Sequence, residues 1–364
     1  MEFMNKYKVV VYAICKNEEK FVDRWVESMK EADEIVVLDT GSDDETVKKL
    51  KEHNVLVKTK KITPWRFDVA RNESLNLVPT DTDICVCTDL DEVFEKGWRK
   101  ELEKVWNKDS NRCRYVYNWS LENNIPKVSF YYEKIHSRHS FRWIHPVHEV
   151  LKYEENTPEN IVISDKVILN HFPDKTKSRS SYLGLLELSV KEEPENDRNT
   201  HYLGREYMYY GKWEEAIETL KKHISLKTAT WKDERCASMR FISRCYKELK
   251  QYDEARKYLD MAIEEAPYLR DPYMERALLE YSLENYEEVE KYCLKALQIH
   301  THQKTYINEP FSWDNTVYDL LAISCYHLEK YNYAIYFIDK ALEYTPNDER
   351  LLNNKRIFLQ KENS

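Results

Sequence analysis

Two aspartates, Asp89 and Asp91, are the residues in this chain whose type and spacing most strongly indicate chemistry. They follow the apolar run Ile84–Cys87, which predicts a buried strand that ends where the acidic residues begin. Because alternate strand residues point to the same side, we expect the two carboxylates to lie together and Leu90 to face away. Paired oxygen donors suit Mg²⁺ or Mn²⁺, which can bridge a diphosphate and stabilise it as a leaving group. A solvated acidic turn is the alternative.

A third aspartate, Asp39, follows the apolar run 36–38. Gly41 follows it and permits a tight turn. The next residues are rich in Ser, Asp, Glu and Thr, as expected where a helix begins, and we expect Asp44 to cap that helix. Asp39 would then lie at a strand end, where its carboxylate can accept hydrogen bonds from a ribose or a base N–H.

Alternating strands and helices position these aspartates. β-Branched runs predict strands at residues 8–14, 34–38, 55–58 and 83–87. Apolar residues at 3.6-residue spacing, with a capped start in the second case, predict helices at residues 18–30, 43–51 and 67–77. This alternation predicts an α/β sheet dominated by parallel strands. Ligands of such sheets bind at the carboxyl ends of the strands, which is where all three aspartates fall.

Length and composition limit the remaining possibilities. A chain of 364 residues favours two domains, and a net charge of −9 argues against a general nucleic-acid binder. No apolar stretch approaches the ~20 residues of a membrane span, and the first residues have no signal-peptide pattern. The eight cysteines form no C-x-x-C pair, which predicts buried free thiols, no disulfide framework and no zinc site. We therefore expect a cytoplasmic protein.

A repeat replaces the strand pattern in the second half. Each unit has an aromatic residue, two mostly polar residues and then a small or β-branched one, and the units begin 39, 34 and 45 residues apart, at Trp213, Tyr252, Tyr286 and Tyr331. This pattern resembles the tetratricopeptide repeat, with an insertion near residues 300–312. The alternative is a helical bundle without repeats. The resemblance implies a concave surface that suits a peptide or protein partner.

Four motifs in the first half together resemble family 2 glycosyltransferases with a GT-A fold, and most closely the bacterial and phage members that append tetratricopeptide repeats. The motifs are ICKNEE (14–19), LDTGSDDET (38–46), WRFDVARN (65–72) and TDLDE (88–92). The resemblance implies a GT-A glycosyltransferase domain at residues 1–178 and a tetratricopeptide-like domain at 179–364. It also implies a nucleotide-sugar donor, with a UDP-sugar expected.

The resemblance implies donor contacts for seven residues, Ala13, Ile14, Glu18, Asp39, Arg71, Asn72 and Asp89. The first three would line the nucleobase pocket. Asp39 would contact the uracil or ribose, and Asp89 the ribose. Arg71 would reach the pyrophosphate or the base, because a planar guanidinium suits bidentate phosphate contacts, and Asn72 would support the sugar or pyrophosphate. The alternative for Arg71 is an ordinary ion pair with Asp68 or Glu73.

The resemblance also implies a metal site and a catalytic base. Asp91 would bind Mn²⁺ or Mg²⁺ directly, Asp89 would contribute through water, and His171 would complete the site. The ILNHF motif (168–172) departs from the family pattern, because a Phe-Pro pair follows this histidine in place of a small residue. Transfer with inversion needs a single base, for which Glu149 is the first candidate and His148 the second. Asp91 and Glu92 are competing carboxylates.

The sequence therefore predicts an inverting, metal-dependent glycosyltransferase whose acceptor is a peptide or protein side chain. The helical half could also form a homodimer through its last helix, expected near residues 347–359. Two alternatives remain: a nucleotidyltransferase, which would need a glycine-rich loop that residues 13–20 lack, and a tetratricopeptide adaptor with an inactive first domain.

Overall fold

The chain divides into two compact units, Met1–Ser189 and Val190–Ser364. The structure is a computed structural model that describes residues 6–174, 182–303 and 305–362. The domain boundary expected between residues 178 and 179 lies outside the described residues. None of the helices within those described ranges is both long enough and apolar enough to cross a bilayer.

A mixed sheet organises the first unit. Its described strands are β1 (Val9–Cys15), β2 (Glu34–Asp39), β3 (Leu56–Thr59), β4 (Ile84–Cys87), β5 (Glu92–Phe94), β6 (Arg112–Glu122), β7 (Ile125–Ser137), β8 (Phe141–Ile144), β9 (Val150–Tyr153) and β10 (Ile161–His171). Within the described residues the main sheet has the order β3-β2-β1-β4-β7-β6-β10-β5, and β8 and β9 form a separate hairpin. The helices are α1 (Val22–Met29), α2 (Thr46–Glu52), α3 (Phe67–Leu75) and α4 (Trp98–Val105), and α5 (Tyr182–Glu192) contains the boundary between the units.

The pairing of the strands confirms the predicted fold class. The β1 strand pairs in parallel with β2 and β4, β2 with β3, and β6 with β10. The other pairs, β4–β7, β6–β7 and β5–β10, are antiparallel. Every residue of β1 and β4 is buried, as their unbroken apolar runs require. All four predicted strands and all three predicted helices are present, with shifted ends.

Helices form the second unit: α6 (Asp197–Tyr209), α7 (Trp213–Ser225), α8 (Lys232–Glu248), α9 (Tyr252–Glu265), α10 (Asp271–Ser282), α11 (Tyr286–Leu297), α12 (Thr316–His327), α13 (Tyr331–Tyr344) and α14 (Glu349–Glu362). The four repeat aromatics are the first residues of α7, α9, α11 and α13. The small or β-branched residue three positions later is fully buried in each of these helices. The predicted insertion is confirmed as the connection between α11 and α12, which contains a short 3-10 helix at Pro310–Ser312.

Candidate active site

The carboxyl ends of β1, β2 and β4 lie side by side at one edge of the sheet. Cys15 is in register with Asp39, and Tyr12 is in register with Cys87. The chain moves from β1 through β2 to β3 on one side and returns to place β4 on the other, so the strand order reverses at β1. Such a switch point opens a crevice beyond the strand ends, where α/β proteins bind ligands.

Arg71 joins two of the predicted site residues. Its Nη2 donates to Asp89 Oδ1 at 2.5 Å, and its Nε donates to Glu149 Oε1 at 3.0 Å. The arginine is buried, with only 3% of its surface exposed. Its planar fork therefore fixes two carboxylates that are 60 positions apart in the chain.

The ordinary ion pairs considered for Arg71 are absent among the described residues. Asp68 instead pairs with Arg66 at 2.8 Å, and Glu73 pairs with Lys60 at 2.7 Å. Arg71 lies on α3 with its side chain directed inward, and its guanidinium is 5.7 Å from the ring of Trp143. The described partners of Arg71 thus include two carboxylates of the protein, and its predicted contact with the donor stays a prediction.

Lys134, on β7, is a site residue that sequence reasoning missed. Its ammonium lies 3.0 Å from Asp89 Oδ2 and 3.8 Å from Glu92 Oε1. Burial alone would raise the pKa of Asp89, but the charges of Arg71 and Lys134 outweigh burial and hold that pKa well below its usual range. The sequence signal that could have identified Lys134 is a lysine within the mostly apolar and aromatic end of β7. A lysine buried in a strand has to be paired with a carboxylate.

Asp91 and His171 form a second pair at the same edge. Asp91 Oδ2 lies 3.4 Å from His171 Nε2. Nδ1 of His171 donates to the carbonyl of Trp119 at 3.0 Å, and the two rings stack with centroids 4.6 Å apart. Because a carbonyl can only accept, this bond leaves Nε2 to face Asp91. Burial lowers the pKa of His171, but Asp91 and the Trp119 carbonyl reverse that effect and raise it.

Asp89 and Asp91 both follow strand β4 but contact different side chains. Strand β4 ends at Cys87 and a turn follows at Leu90 and Asp91, so strand alternation does not reach the two aspartates. Leu90 is buried in the core, while Asp89 binds Arg71 and Lys134 and Asp91 faces His171. The two carboxylates therefore have separate partners.

Asp91 and His171 fit a divalent ion better than Asp89 does. Adjacent ligands of an octahedral ion bound at ~2.1 Å are ~3 Å apart, close to the 3.4 Å between Asp91 Oδ2 and His171 Nε2. Both oxygens of Asp89 already accept hydrogen bonds from cationic side chains. A carboxylate and an imidazole at this distance can serve Mn²⁺ or Mg²⁺, with the remaining positions left to other oxygens.

Asp39 ends β2 and shapes the turn that follows. Its carboxylate accepts from the backbone N–H of Ser42 at 2.9 Å and of Gly41 at 3.3 Å. Gly41 has φ +110°, which a residue with a side chain rarely adopts. The N-cap position of α2 is Glu45 and not the predicted Asp44, which lies one residue earlier and accepts from the backbone N–H of Thr46 at 3.0 Å. The buried Asp39 carboxylate retains lone pairs for a ligand.

The remaining residues predicted to contact the donor differ in their burial and hydrogen bonds. Ala13 is fully buried, and its carbonyl accepts from Ser74 Oγ at 2.7 Å. Ile14 is 9% exposed at the end of β1, and the half-buried Glu18 donates its backbone N–H to Thr46. Both amide atoms of Asn72 bind the backbone of Trp143, at 2.8 and 3.0 Å. This clamp fastens α3 to the β8–β9 hairpin and gives Asn72 a structural role.

The two candidate bases immediately precede β9. Glu149 is held by Arg71, with 11% of its side chain exposed. His148 is half-buried at φ +51°, with its ring edge-on to Tyr182. Strain at such a backbone position persists only where the surrounding structure enforces it. The turn thus presents adjacent carboxylate and imidazole groups beside the Arg71 bridge, in which Arg71 pairs with both Asp89 and Glu149.

Glu92 is a buried residue that stabilises the acidic turn. It is 1% exposed and accepts hydrogen bonds from the Asp89 backbone N–H and the Tyr117 hydroxyl, both at 2.8 Å. Burial and the nearby charges of Asp89 and Asp91 raise its pKa above the usual value. A carboxylate bound in this way holds the acidic turn in place and does not face an incoming acceptor.

Residues 10–156 match the family model described as glycosyl transferase family 2. The first unit thus carries a family 2 glycosyltransferase domain, and the chain is a glycosyltransferase. It is similar to the SPbeta prophage-derived glycosyltransferase SunS of Bacillus subtilis (strain 168), with 28% identity over 300 residues that cover 76% of this chain and 67% of SunS. The glycosyltransferase SunS of Bacillus phage SPbeta matches to the same extent.

Two solved structures match about half of the chain at low identity. A tetratricopeptide repeat protein from Parabacteroides merdae shares 19% identity at a TM-score of 0.38, covering 50% of this chain and 67% of that protein. The MamA protein shares 19% identity at a TM-score of 0.37, covering 48% of this chain and 95% of that protein.

Proposed function

We propose that this glycosyltransferase is inverting and metal-dependent, and that it transfers a sugar from a UDP-sugar to a side chain of a peptide or protein. The observation that carries the proposal is the carboxyl edge of the sheet, which carries Arg71 with its two carboxylates, the Asp91–His171 pair and Asp39 at the end of β2. This edge combines an acceptor for a nucleoside, a pair suited to a divalent ion and a candidate base.

Asp91 and His171 would hold Mn²⁺ or Mg²⁺. When bound, the ion would neutralise negative charge on the departing diphosphate. The hydrogen bond from His171 Nδ1 to the Trp119 carbonyl supports this role, because it fixes the ring with Nε2 directed to the site. A fixed ring loses little conformational freedom when it binds a metal, so the pair is arranged for binding in advance.

Asp39 and Asp89 would hold the nucleoside part of the donor. Asp89 is ionised at neutral pH, because Arg71 and Lys134 lower its pKa. Its side chain is 35% exposed and can accept further hydrogen bonds from ribose hydroxyls. Arg71 is tied to two carboxylates, so we assign it as a positioning residue that orients Asp89 and Glu149.

Glu149 is the proposed base, and His148 is the alternative. Direct displacement at the anomeric carbon requires one group to take the acceptor proton, and the Arg71 contact fixes the carboxylate orientation. We expect Glu149→Gln to retain donor binding and lose transfer, because glutamine keeps an acceptor oxygen for Arg71 but is not a base. If His148→Gln loses transfer and Glu149→Gln does not, the roles are reversed.

A peptide or protein acceptor is supported by a groove in the helical unit. The groove has a volume of about 520 Å³, and its lining includes Tyr209, Trp213, Lys247 and Phe311. Aromatic and charged side chains on a helical array suit an extended peptide.

The buried free thiols of all eight cysteines favour a reducing compartment, so we propose a cytoplasmic reaction. We also propose that α14 pairs with a second copy, which light scattering would test.

A thermal-shift titration with UDP and GDP, each with and without Mn²⁺, tests the donor and the metal together. A ligand that binds only the folded state adds roughly 2.7 kcal/mol at 100 times its Kd. We expect UDP to stabilise the protein only when Mn²⁺ is present. A response to GDP alone would indicate a GDP-sugar donor. No response to either nucleotide would favour an adaptor with an inactive first domain.

Asp91→Ala is the decisive variant, with Asp109→Ala as its matched control on an exposed turn. We expect Asp91→Ala to abolish the Mn²⁺-dependent shift and sugar transfer, and Asp109→Ala to preserve both. An Asp91→Ala protein that binds UDP with Mn²⁺ as tightly as the parent would contradict the metal assignment. Full activity in Asp91→Ala would contradict the mechanism.

A further inference from the structure

Three residues with metal-binding side chains meet in the core of the helical unit. His201 lies on α6, His223 on α7 and Glu234 on α8, so three consecutive helices contribute one residue each. The two histidines are fully buried, and Glu234 is 4% exposed. Such polar groups are costly to bury unless they are paired or bind an ion.

The potential ligand atoms converge on one point. One nitrogen from each histidine and one oxygen from Glu234 lie within 4.8 Å of one another. The Nε2 of His223 is 3.4 Å from Oε1 of Glu234, and ligands of a tetrahedral zinc ion are also about 3.4 Å apart. Within the described residues, Nε2 of His201 and Nε2 of His223 have no hydrogen-bond partner. Both Nε2 atoms are therefore buried without a hydrogen bond, and that of His223 faces the Glu234 carboxylate.

Neighbouring groups orient all three side chains. Nδ1 of His201 lies 2.7 Å from Ser238 Oγ, and Nδ1 of His223 lies 2.8 Å from the same atom. A hydroxyl oxygen can accept two hydrogen bonds, so Ser238 can accept from both Nδ1–H groups and leave a lone pair on each Nε2. The Tyr306 hydroxyl donates to the other oxygen of Glu234. Metal-binding histidines and carboxylates typically have such outer partners.

We propose that Nε2 of His201, Nε2 of His223 and a carboxylate oxygen of Glu234 bind one zinc ion that joins α6, α7 and α8. Two imidazoles and one carboxylate are an established zinc ligand set, with a water or another oxygen in the fourth position. The absence of C-x-x-C pairs does not bear on this site, because it uses no cysteine. The site lies wholly within the helical unit and differs in ligand chemistry from the Mn²⁺ or Mg²⁺ pair proposed in the first unit.

The test uses the full-length chain carrying Asp91→Ala, so that the first unit does not contribute its own metal pair. After treatment with EDTA, the protein is titrated with zinc chloride, and bound zinc and the unfolding midpoint are measured. We expect one zinc ion per chain and a rise of several degrees in the midpoint. X-ray absorption should show nitrogen and oxygen ligands at ~2.0–2.1 Å and no sulfur.

Substitutions assign the zinc to these residues. His201→Gln with His223→Gln should remove both zinc uptake and the zinc-dependent rise in the midpoint, while His300→Gln, at an exposed position, should change neither. If the double variant does not fold, X-ray absorption of the parent protein still decides the ligand set. Failure of the parent to take up zinc, a sulfur ligand in its spectrum, or unchanged uptake in a folded double variant would overturn the proposal.

Discussion

Replacing Arg71 with methionine should destabilise the first unit and uncouple Asp89 from Glu149. Methionine can keep the apolar contacts near Trp143 but removes both charged hydrogen bonds of the guanidinium. Removing one partner of a buried ion pair costs about 3–5 kcal/mol. Because Asp89 is 35% exposed and keeps Lys134, we expect a loss near the lower limit, about 3 kcal/mol.

A double-mutant cycle of Arg71→Met and Asp89→Asn measures the coupling energy between the two side chains. We expect about 1.5–3 kcal/mol, because hydrogen bonds to charged groups are worth this much. The free energies come from urea unfolding of the full chain, followed by fluorescence, with the transition of the first unit fitted separately. Arg142→Met with Glu154→Gln is the control cycle, because that pair is about half exposed and should couple by less than about 1 kcal/mol. A coupling for Arg71 no larger than the control would refute the inference that the bridge fixes the site.

Three further predictions concern packing, pH and thiol chemistry. Gly204→Ala should destabilise the helical unit by about 1–3 kcal/mol in urea unfolding, because a Cβ there would lie 2.5 Å from Leu220 Cγ; Gly184→Ala, with no atom within 4 Å, should not. Because Arg71 and Lys134 lower the pKa of Asp89 against the effect of burial, its stabilising contribution is present above about pH 4 and is lost as the pH falls further. Asp89→Asn should therefore flatten the acid side of the stability curve, and an unchanged curve would contradict this assignment. Burial raises the pKa of the Cys113 and Cys236 thiols to about 12, so a thiol reagent should react slowly with the native chain and rapidly with all eight cysteines after denaturation.

Local patterns were sufficient to predict the elements around the site. Strand β1 is an unbroken apolar run, and α1 places Trp25, Val26 and Met29 on one buried face, so periodicity identified both. The repeat aromatics identified the first residue of α7, α9, α11 and α13, since each of them begins its helix at a fixed point in the unit. In these cases the information lies within a few consecutive residues.

Contacts between distant strands could not be predicted in the same way. Asp89 and Lys134 are 45 positions apart, and their contact depends on β7 pairing antiparallel with β4. That register places Ile135 opposite Val86, which brings the neighbouring lysine to the acidic turn. A single sequence does not encode strand register in a local pattern, so the partner of Asp89 became visible only in the fold.

The buried cations also explain why the metal proposal centres on Asp91. Arg71 and Lys134 both contact Asp89, and Arg71 contacts Glu149 as well, so the protein itself balances these carboxylates. Asp91 faces the imidazole of His171, whose charge depends on pH. The imidazole is positively charged only when it is protonated, whereas a divalent ion bound at this pair would be positively charged at every pH. We therefore expect Asp91→Ala to affect metal dependence, and Asp89→Asn to affect donor affinity more than metal affinity.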